Sequence, residues 1–162
     1  MLRIALGTDH AGYPLATELR VWLATLDIEV IDLGAQTYDP DDDYPDYVAL
    51  VARTVSNGGA VKGIAICGSG VGASMVANKI KGIRASVCHD TYSARQGVEH
   101  DDMNVLCIGA RIVGIELAKV LVRAFLDARY SGEERHQRRL QKIKMLEVAD
   151  YRNSPKRECL LD

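Results

Sequence analysis

The feature that most constrains this chain is a regular alternation of short apolar segments with segments of helical periodicity. The candidate strands are LRIALG from Leu2, IEVIDLG from Ile28, VKGIAIC to Cys67, IRASVC to Cys88 and NVLCIG to Gly109. The first helical stretch has Leu15, Leu19, Trp22, Leu23 and Leu26 on one face, and the others cover about 45–57, 71–80, 91–99 and 113–128. Apolar strands alternating with helices predict βαβ units, whose parallel sheet is covered on both faces. Because such crossovers are right-handed, the sequence predicts an open, doubly wound α/β sandwich with five parallel strands.

The length and composition fit one domain with a substantial core. The chain has 162 residues, of which 48% are hydrophobic and 26% charged, which is the upper end of the common single-domain size. We therefore expect a single α/β domain over residues 1–150, without internal repeats or low-complexity linkers.

Charge and cysteine content narrow the expected partners and compartment. A formal net charge of −2 gives no support for a nucleic-acid or anionic-membrane partner. No apolar run approaches the roughly 20 residues of a membrane-spanning helix, and the N-terminal residues lack the layout of a signal peptide. The four cysteines, Cys67, Cys88, Cys107 and Cys159, show no C-x-x-C spacing. They are expected to be reduced thiols in a cytoplasmic protein.

Two regions depart from the alternation. Residues 39–46 (DPDDDYPD) are acidic and rich in turn formers, so we expect a surface loop that leads into a helix. A charged helix is expected over 133–150, followed by a tail, 151–162, that is expected to be mobile. Because so charged a helix has little to bury against its own domain, two interpretations stay open. It either lies across a partner subunit or is a solvated terminal helix.

The glycine-rich segment CGSGVGAS, residues 67–74, follows the third strand and opens a helix. In open α/β sheets ligands bind beyond the carboxyl ends of the strands, which is where this segment lies. With Asp90 about 20 residues further on, it matches a dinucleotide-binding fingerprint. That fingerprint normally occupies the first βα turn, however. The segment also carries Cys67, Ser69 and Ser74, reactive and hydrogen-bonding groups that a pyrophosphate does not need.

The interpretation we favour is an anion hole. Glycines allow successive backbone N–H groups to turn inward, and the helix that begins near Val71 adds partial positive charge. Such a cluster holds a phosphate or stabilises negative charge that develops during a reaction. The same field favours the thiolate of Cys67, which could then act as a nucleophile or a base. Cys88 and Cys107 are expected to be buried and inert.

A metal site is not expected. His10 follows Asp9 at the end of the first strand, where a loop histidine is most often packed rather than functional. His100 precedes Asp101 and Asp102, but adjacent residues rarely chelate one ion together, and no His-x-x-x-His pair exists.

Two late arginines form a candidate anion clamp. Arg135 and Arg139 are four residues apart on the predicted helix, so their guanidinium groups share a face. Paired arginines suit a phosphate dianion. A solvated basic face is the alternative.

Seven stretches of the chain together resemble the type B ribose-5-phosphate isomerases and their relatives, the allose- and galactose-6-phosphate isomerases. These stretches are GTDHAG (7–12), DYPDY (43–47), CGSGVGASMVANK (67–79), GIRA (82–85), NVLCIGAR (104–111), GIELA (114–118) and RHQRR (135–139). They span nearly the whole domain in one order, whereas the glycine loop alone would not be specific.

The resemblance implies a Rossmann-like, three-layer α/β/α fold without a cofactor, acting on a phosphorylated sugar. It implies aldose–ketose interconversion through a cis-enediolate. It also implies an obligate homodimer in which the C-terminal helix reaches the partner, while pairing of two dimers into a tetramer stays open. In such a dimer the partner supplies the His100 segment and the late arginines to each site.

By the same resemblance, each site residue receives a role. Cys67 would be the base, and Ser69 and His100 would assist opening of the furanose ring. The glycine loop from Gly68 would hold the enediolate oxygen through the backbone N–H groups of Gly70, Val71, Gly72, Ala73 and Ser74. Substrate hydroxyls would bind Asp9, and the phosphate would bind His10, Arg135 and Arg139, with Arg111 nearby.

One departure and two alternatives qualify this expectation. Asp101 stands where many relatives have asparagine, and an ionised carboxylate accepts but does not donate hydrogen bonds, so its part in binding substrate hydroxyls is less defined. The closest alternative is the same chemistry on a 6-phosphorylated hexose such as allose 6-phosphate. The alternative from another class is a non-catalytic module that binds a nucleotide or sugar phosphate.

Overall fold

One parallel sheet forms the centre of the molecule. The computed structural model describes residues 1–148, without the side chain of Val148. The predicted tail and the last two residues of the predicted C-terminal helix lie outside the described residues. The strands are β1 (Leu2–Thr8), β2 (Ile28–Asp32), β3 (Lys62–Cys67), β4 (Ala85–Val87) and β5 (Val105–Gly109). They pair in the order β2-β1-β3-β5-β4, with every neighbouring pair parallel.

Helices cover both faces of this sheet. They are α1 (Tyr13–Leu23), α2 (Tyr44–Ser56), α3 (Val71–Ala77), α4 (Thr91–Asp101), α5 (Ile115–Asp127) and α6 (Glu134–Val148), and a short 3₁₀ turn at His10–Gly12 precedes α1. Leu19, Val98 and Phe125 place α1, α4 and α5 in one apolar cluster. Val51 and Ala73 place α2 and α3 in another. The predicted five-stranded, three-layer, doubly wound fold is therefore confirmed.

Burial explains why the central strands read as continuous apolar runs. The β5 residues are all buried, and β1 and β3 are buried from Ile4 and Gly63 onward, because helices cover both their faces. The two edge strands are shorter or only half-buried. The third helix ends at Ala77, earlier than expected, because the Asn78 amide bonds the Ser74 and Ala85 carbonyl oxygens at 2.9 and 2.8 Å.

The charged helix α6 packs on its own chain more than its composition predicts. His136 and Leu140 are buried, and the His136 ring stacks on His100 of α4. The remaining described residues of α6 are exposed. The expectation that this helix also reaches a partner subunit stays a prediction.

Within residues 1–148, none of the helices combines the length and the apolar character that crossing a membrane requires.

Candidate active site

A cleft opens beyond the carboxyl ends of β1, β3 and β5, the three central strands. It has a volume of about 620 Å³. We call it the Cys67 cleft, and its lining residues are Asp9, His10, Ala11, Tyr44, Cys67, Gly68, Ser69, Val71, Gly72, Met75, Arg111 and Ile112. The parallel register brings these segments together, because Thr8 pairs with Ile66 and Cys67 with Gly109. The next residues of each strand therefore leave the sheet side by side.

Cys67 is the last residue of β3 and one of the least exposed residues in the cleft. Its residue surface is only 4% exposed. The backbone N–H of Gly70 donates to its Sγ at 3.1 Å. This turn requires glycine, since Gly70 has a φ of 81°, in the left-handed region. The loop therefore directs an N–H dipole at the sulfur, where it can stabilise negative charge.

Some of the backbone N–H groups predicted to bind a ligand already donate to acceptors within the glycine loop. The N–H of Val71 donates to Ser69 Oγ at 3.3 Å, and that of Ser74 donates to the Gly70 carbonyl at 3.0 Å. Among the described residues, the N–H groups of Gly72 and Ala73 have no such acceptor. These two N–H groups, at the start of α3, are therefore left to donate to a ligand oxygen.

Tyr44 and Arg111 approach the glycine loop closely. A Cβ atom at Gly72 would lie 2.6 Å from Tyr44 Cζ, so only glycine admits the ring there. The N–H of Arg111 donates to the Gly68 carbonyl at 3.0 Å, and its side chain lies against Gly68. The guanidinium thus brings a positive charge to the cleft.

Asp9 and His10, which directly follow β1, form another part of the cleft wall. Asp9 is buried, and its Oδ1 accepts from the Gly12 N–H at 3.3 Å. Burial raises the pKa of Asp9 above its ordinary value. His10 Nδ1 lies 2.6 Å from Asp42 Oδ1, and this hydrogen bond raises the pKa of His10. The sequence offered no sign of the contact with Asp42.

Asp9, His10 and Asp42 are also the described residues whose potential ligand atoms lie nearest one another, within 4.8 Å. The 2.6 Å separation of Nδ1 and Oδ1 is a hydrogen bond, and it leaves no space for an ion between those two atoms. We assign no metal ligands here.

The other described cysteines differ from Cys67. Cys88 and Cys107 are buried, and burial raises the pKa of both thiols. A raised pKa keeps these thiols neutral, in agreement with their predicted inertness.

The remaining predicted site residues lie on a separate surface, which we call the α4–α6 face and which comprises His100, Asp101, Arg135, His136 and Arg139. The His100 ring stacks on His136 with centroids 4.1 Å apart, and Gln96 Nε2 lies 2.7 Å from His100 Nδ1. Ser131 Oγ lies 2.7 Å from His136 Nδ1. The histidine pair is thus held from both sides.

The charged members of this face are more exposed. Arg135 is paired with Glu133 at 2.8 Å, and Arg139 is exposed. Asp101 lines a second groove of about 410 Å³ beside β4, together with Ile143 of α6. None of these residues lines the Cys67 cleft of the described chain.

The structure therefore divides the predicted site residues into two groups. It brings together Asp9, His10, Cys67, Gly68, Ser69, Val71, Gly72 and Arg111, with Gly70, Ala73 and Ser74 at the same helix start. It keeps His100, Asp101, Arg135 and Arg139 on the other face. Sequence reasoning gave Asp42 no role. It included Tyr44 and His136 only within the DYPDY and RHQRR matches.

Comparison with known proteins identifies the family. The family model described as Ribose/Galactose Isomerase matches residues 4–143. The chain belongs to this family. The match spans the residues of both the Cys67 cleft and the α4–α6 face. It also favours the isomerase interpretation of the glycine loop over the dinucleotide one.

Individual relatives match this chain over most of its length, and a solved structure among them has the same fold. Ribose-5-phosphate isomerase B of Escherichia coli (strain K12) is 47% identical over 147 residues, 91% of this chain and 97% of the relative. D-erythrulose-4-phosphate isomerase of Pectobacterium atrosepticum is 40% identical over 135 residues, 82% and 87% of the two chains. The solved structure of ribose-5-phosphate isomerase B from Mycoplasma genitalium, with bound ribulose-5-phosphate, matches with a TM-score of 0.85 at 40% identity, over 90% of this chain and 96% of that one. The resemblance and the fold class are confirmed.

Proposed function

We propose that this chain interconverts ribose 5-phosphate and ribulose 5-phosphate, with Cys67 as the base. The observation that carries the proposal is the position of the Cys67 sulfur. It lies in a cleft with Asp9, His10 and Arg111, and the Gly70 N–H donates to it at 3.1 Å. Membership of the ribose/galactose isomerase family gives this arrangement its reaction type.

The chemistry needs a base and a sink for negative charge a few ångströms apart. A proton on the carbon next to a carbonyl is weakly acidic, and its removal leaves charge on the carbonyl oxygen. In the open-chain aldose, the Cys67 thiolate takes the proton from C2 and the resulting thiol returns it to C1. The hydroxyl proton moves from O2 to O1, so the product is an isomer and no redox partner is needed. The N–H groups of Gly72 and Ala73 stabilise the cis-enediolate oxygen between the two transfers.

Binding and ring opening use the remaining residues. Ser69 and His100 move the proton that opens the furanose ring, and Asp9 binds substrate hydroxyls. Positive charge for the phosphate comes from His10, Arg111, Arg135 and Arg139.

Because His100 and the two late arginines lie on the α4–α6 face, the proposal requires a homodimer in which that face of one copy completes the cleft of the other. We place this dimer in the cytoplasm, in keeping with the free thiols of Cys67, Cys88 and Cys107.

A second candidate substrate comes from within the family. One relative, at 40% identity, is a D-erythrulose-4-phosphate isomerase. The same proton transfer on a shorter phosphorylated sugar would use Cys67 in the same way. Allose 6-phosphate is the corresponding longer substrate.

The experiment compares turnover of ribose 5-phosphate, D-erythrulose 4-phosphate and allose 6-phosphate by the wild type and by Cys67→Ala. We expect the highest kcat/KM with ribose 5-phosphate. For Cys67→Ala we expect a loss of at least about 10³-fold in kcat, with binding of ribose 5-phosphate largely retained by calorimetry. Cys88→Ala is the matched control and should keep wild-type turnover. Turnover by Cys67→Ala near the wild-type rate would mean that another group is the base, and preference for another sugar would change the substrate.

A further inference from the structure

Asp42 differs from its neighbours in the acidic loop of residues 39–46. Asp41 and Asp43 are exposed, as a solvated acidic loop predicts. The side chain of Asp42 is only 7% exposed. A carboxylate this buried is normally held by a partner, since burying a charge without one is costly.

That partner is His10. Asp42 Oδ1 accepts from the backbone N–H of His10 at 2.9 Å and lies 2.6 Å from its ring Nδ1. Two contacts to one residue hold both its backbone position and the rotation of its ring. Because Nδ1 is occupied, Nε2 is the ring nitrogen left for a ligand in the Cys67 cleft, which His10 lines.

The groups around His10 favour its charged form. Asp9 lies beside it at the end of β1, and Asp42 faces it from the loop. The Tyr38 ring meets the imidazole edge-on, with centroids 6.2 Å apart. Tyr47 of α2 lies near Asp42, and its pKa is raised by burial and by that carboxylate. Arg111 lines the same cleft and adds a second positively charged group to it.

The pKa shifts of the two partners agree. The hydrogen bond from Asp42 raises the pKa of His10. Burial is the largest single influence and acts to raise the pKa of Asp42, but the interactions with His10 and Tyr47 together outweigh it, and the pKa lies below the ordinary value. Both directions favour an imidazolium–carboxylate pair near neutral pH.

We propose that Asp42 is a positioning residue for phosphate recognition, which orients the His10 imidazolium so that Nε2–H donates to the substrate phosphate. The inference rests on the proposed function, in which His10 binds that phosphate. Asp42 Oδ2 has no hydrogen-bond partner in the described part of the chain. Asp42 itself does not line the cleft, so it acts through His10.

This arrangement has a pH consequence with a definite sign. A phosphate monoester becomes a dianion above about pH 6, where a histidine of ordinary pKa, 6.5, is losing its proton. Raising the pKa of His10 keeps the imidazolium and the dianion together over a wider range. Phosphate affinity is therefore retained as pH rises and is lost when pH passes the raised value.

The test uses Asp42→Asn in the full chain, with Asp41→Asn as the matched control. The Asn oxygen can still accept from Nδ1–H, so the geometry survives while the charge is lost. At pH 8 we expect KM for ribose 5-phosphate, and the inhibition constant of inorganic phosphate, to rise about tenfold. We expect kcat to change less than about twofold, because the group binds ground and transition states alike. The rise should shrink at pH 6, where His10 is protonated without help.

A second measurement separates this inference from the proposed function. NMR titration of His10 in the ligand-free protein should give a lower pKa in Asp42→Asn than in the wild type, whatever the substrate. If inorganic phosphate affinity and the His10 titration are both unchanged in Asp42→Asn, the inference is overturned. If the wild type turns over no sugar phosphate, the proposed function fails. Weaker phosphate binding with a shifted titration would still support the role of Asp42.

Discussion

The Cys67 cleft and the α4–α6 face differ in which functional groups they hold and in what those groups surround. The cleft has a sulfur, N–H donors, a buried carboxylate and a held histidine around a volume of about 620 Å³. The α4–α6 face has a stacked histidine pair and two exposed arginines, but these do not surround the cleft of their own chain. The difference suggests that neither region works alone. The histidine pair and the exposed arginines of the α4–α6 face are accounted for if this face meets the Cys67 cleft of a second copy.

The largest predicted effect comes from mixing two inactive variants. This experiment tests whether the Cys67 cleft of one chain and the α4–α6 face of another form one site. Cys67→Ala should lose at least about 10³-fold in kcat, and His100→Asn about 10²-fold, since each removes a proton-transferring group. In a mixed dimer, one site combines the Cys67 of one chain with the His100 of the other, and so is intact. Refolding the two variants together in equal amounts should restore about a quarter of the wild-type activity.

The control for this experiment is refolding of each variant by itself, which should restore no activity beyond the small residual rate of that variant. Size-exclusion chromatography of the mixture verifies that dimers have formed. If dimers form and no activity returns, Cys67 and His100 do not meet across two chains, and the proposed shared site is refuted.

The late arginines provide a smaller effect. Arg139→Ala should raise KM for ribose 5-phosphate by about tenfold or more, because a charge-assisted hydrogen bond to phosphate is lost. The change in kcat should be slight, as expected for uniform binding. Steady-state kinetics measures both.

Lys144→Ala is the matched control, since Lys144 is also exposed but its spacing from Arg135 and Arg139 puts it on the opposite side of α6. Equal KM values for the Lys144 and Arg139 variants would mean that these arginines form only a solvated basic face.

The smallest predicted effect is on stability and comes from the stacked histidines. Burial lowers the pKa of His136 below its ordinary value of 6.5, and the charge of His100 adds to this. The unfolded chain therefore takes up this proton more readily than the folded one. The stability that neutral His136 contributes to the folded state is complete above pH 6.5 and is lost as pH falls through the lower pKa of the folded protein.

Thermal unfolding of the wild type and of His136→Asn between pH 7.5 and 5.5 tests this sign. The asparagine can still pair with Ser131 but does not titrate, so its midpoint should fall less steeply towards acid. Parallel curves for the two proteins would show that His136 does not contribute to the acid sensitivity.

The fold was predictable because its signals are local. Within residues 1–148, the apolar runs and the helical periodicity predicted all five strands and the first five helices in the right order, and the charged stretch after Gly132 predicted the sixth. The boundaries were less accurate where a side chain intervenes. β4 was expected from Ile83, but Asn78 bonds the backbone of Ala85 with both ends of its amide and marks where pairing begins.

The site was predictable only where its residues share a motif. The glycine loop, its cysteine and the histidine after β1 lie at strand ends, and the sheet brings them together. Asp42 reaches His10 across 32 residues of sequence, from a loop whose other charges are solvated. The stacking of His136 on His100 likewise depends on how α6 lies over α4. No spacing rule within the sequence predicts either contact.

The close approach of Tyr44 to Gly72 determines which side chain forms this part of the cleft wall. Even a methyl group at position 72 would lie 2.6 Å from Tyr44 Cζ. Because the atoms it would meet are at the far end of the Tyr44 side chain, the ring would swing away from the glycine loop. The absence of a side chain at position 72 therefore keeps an aromatic ring in the wall of the Cys67 cleft.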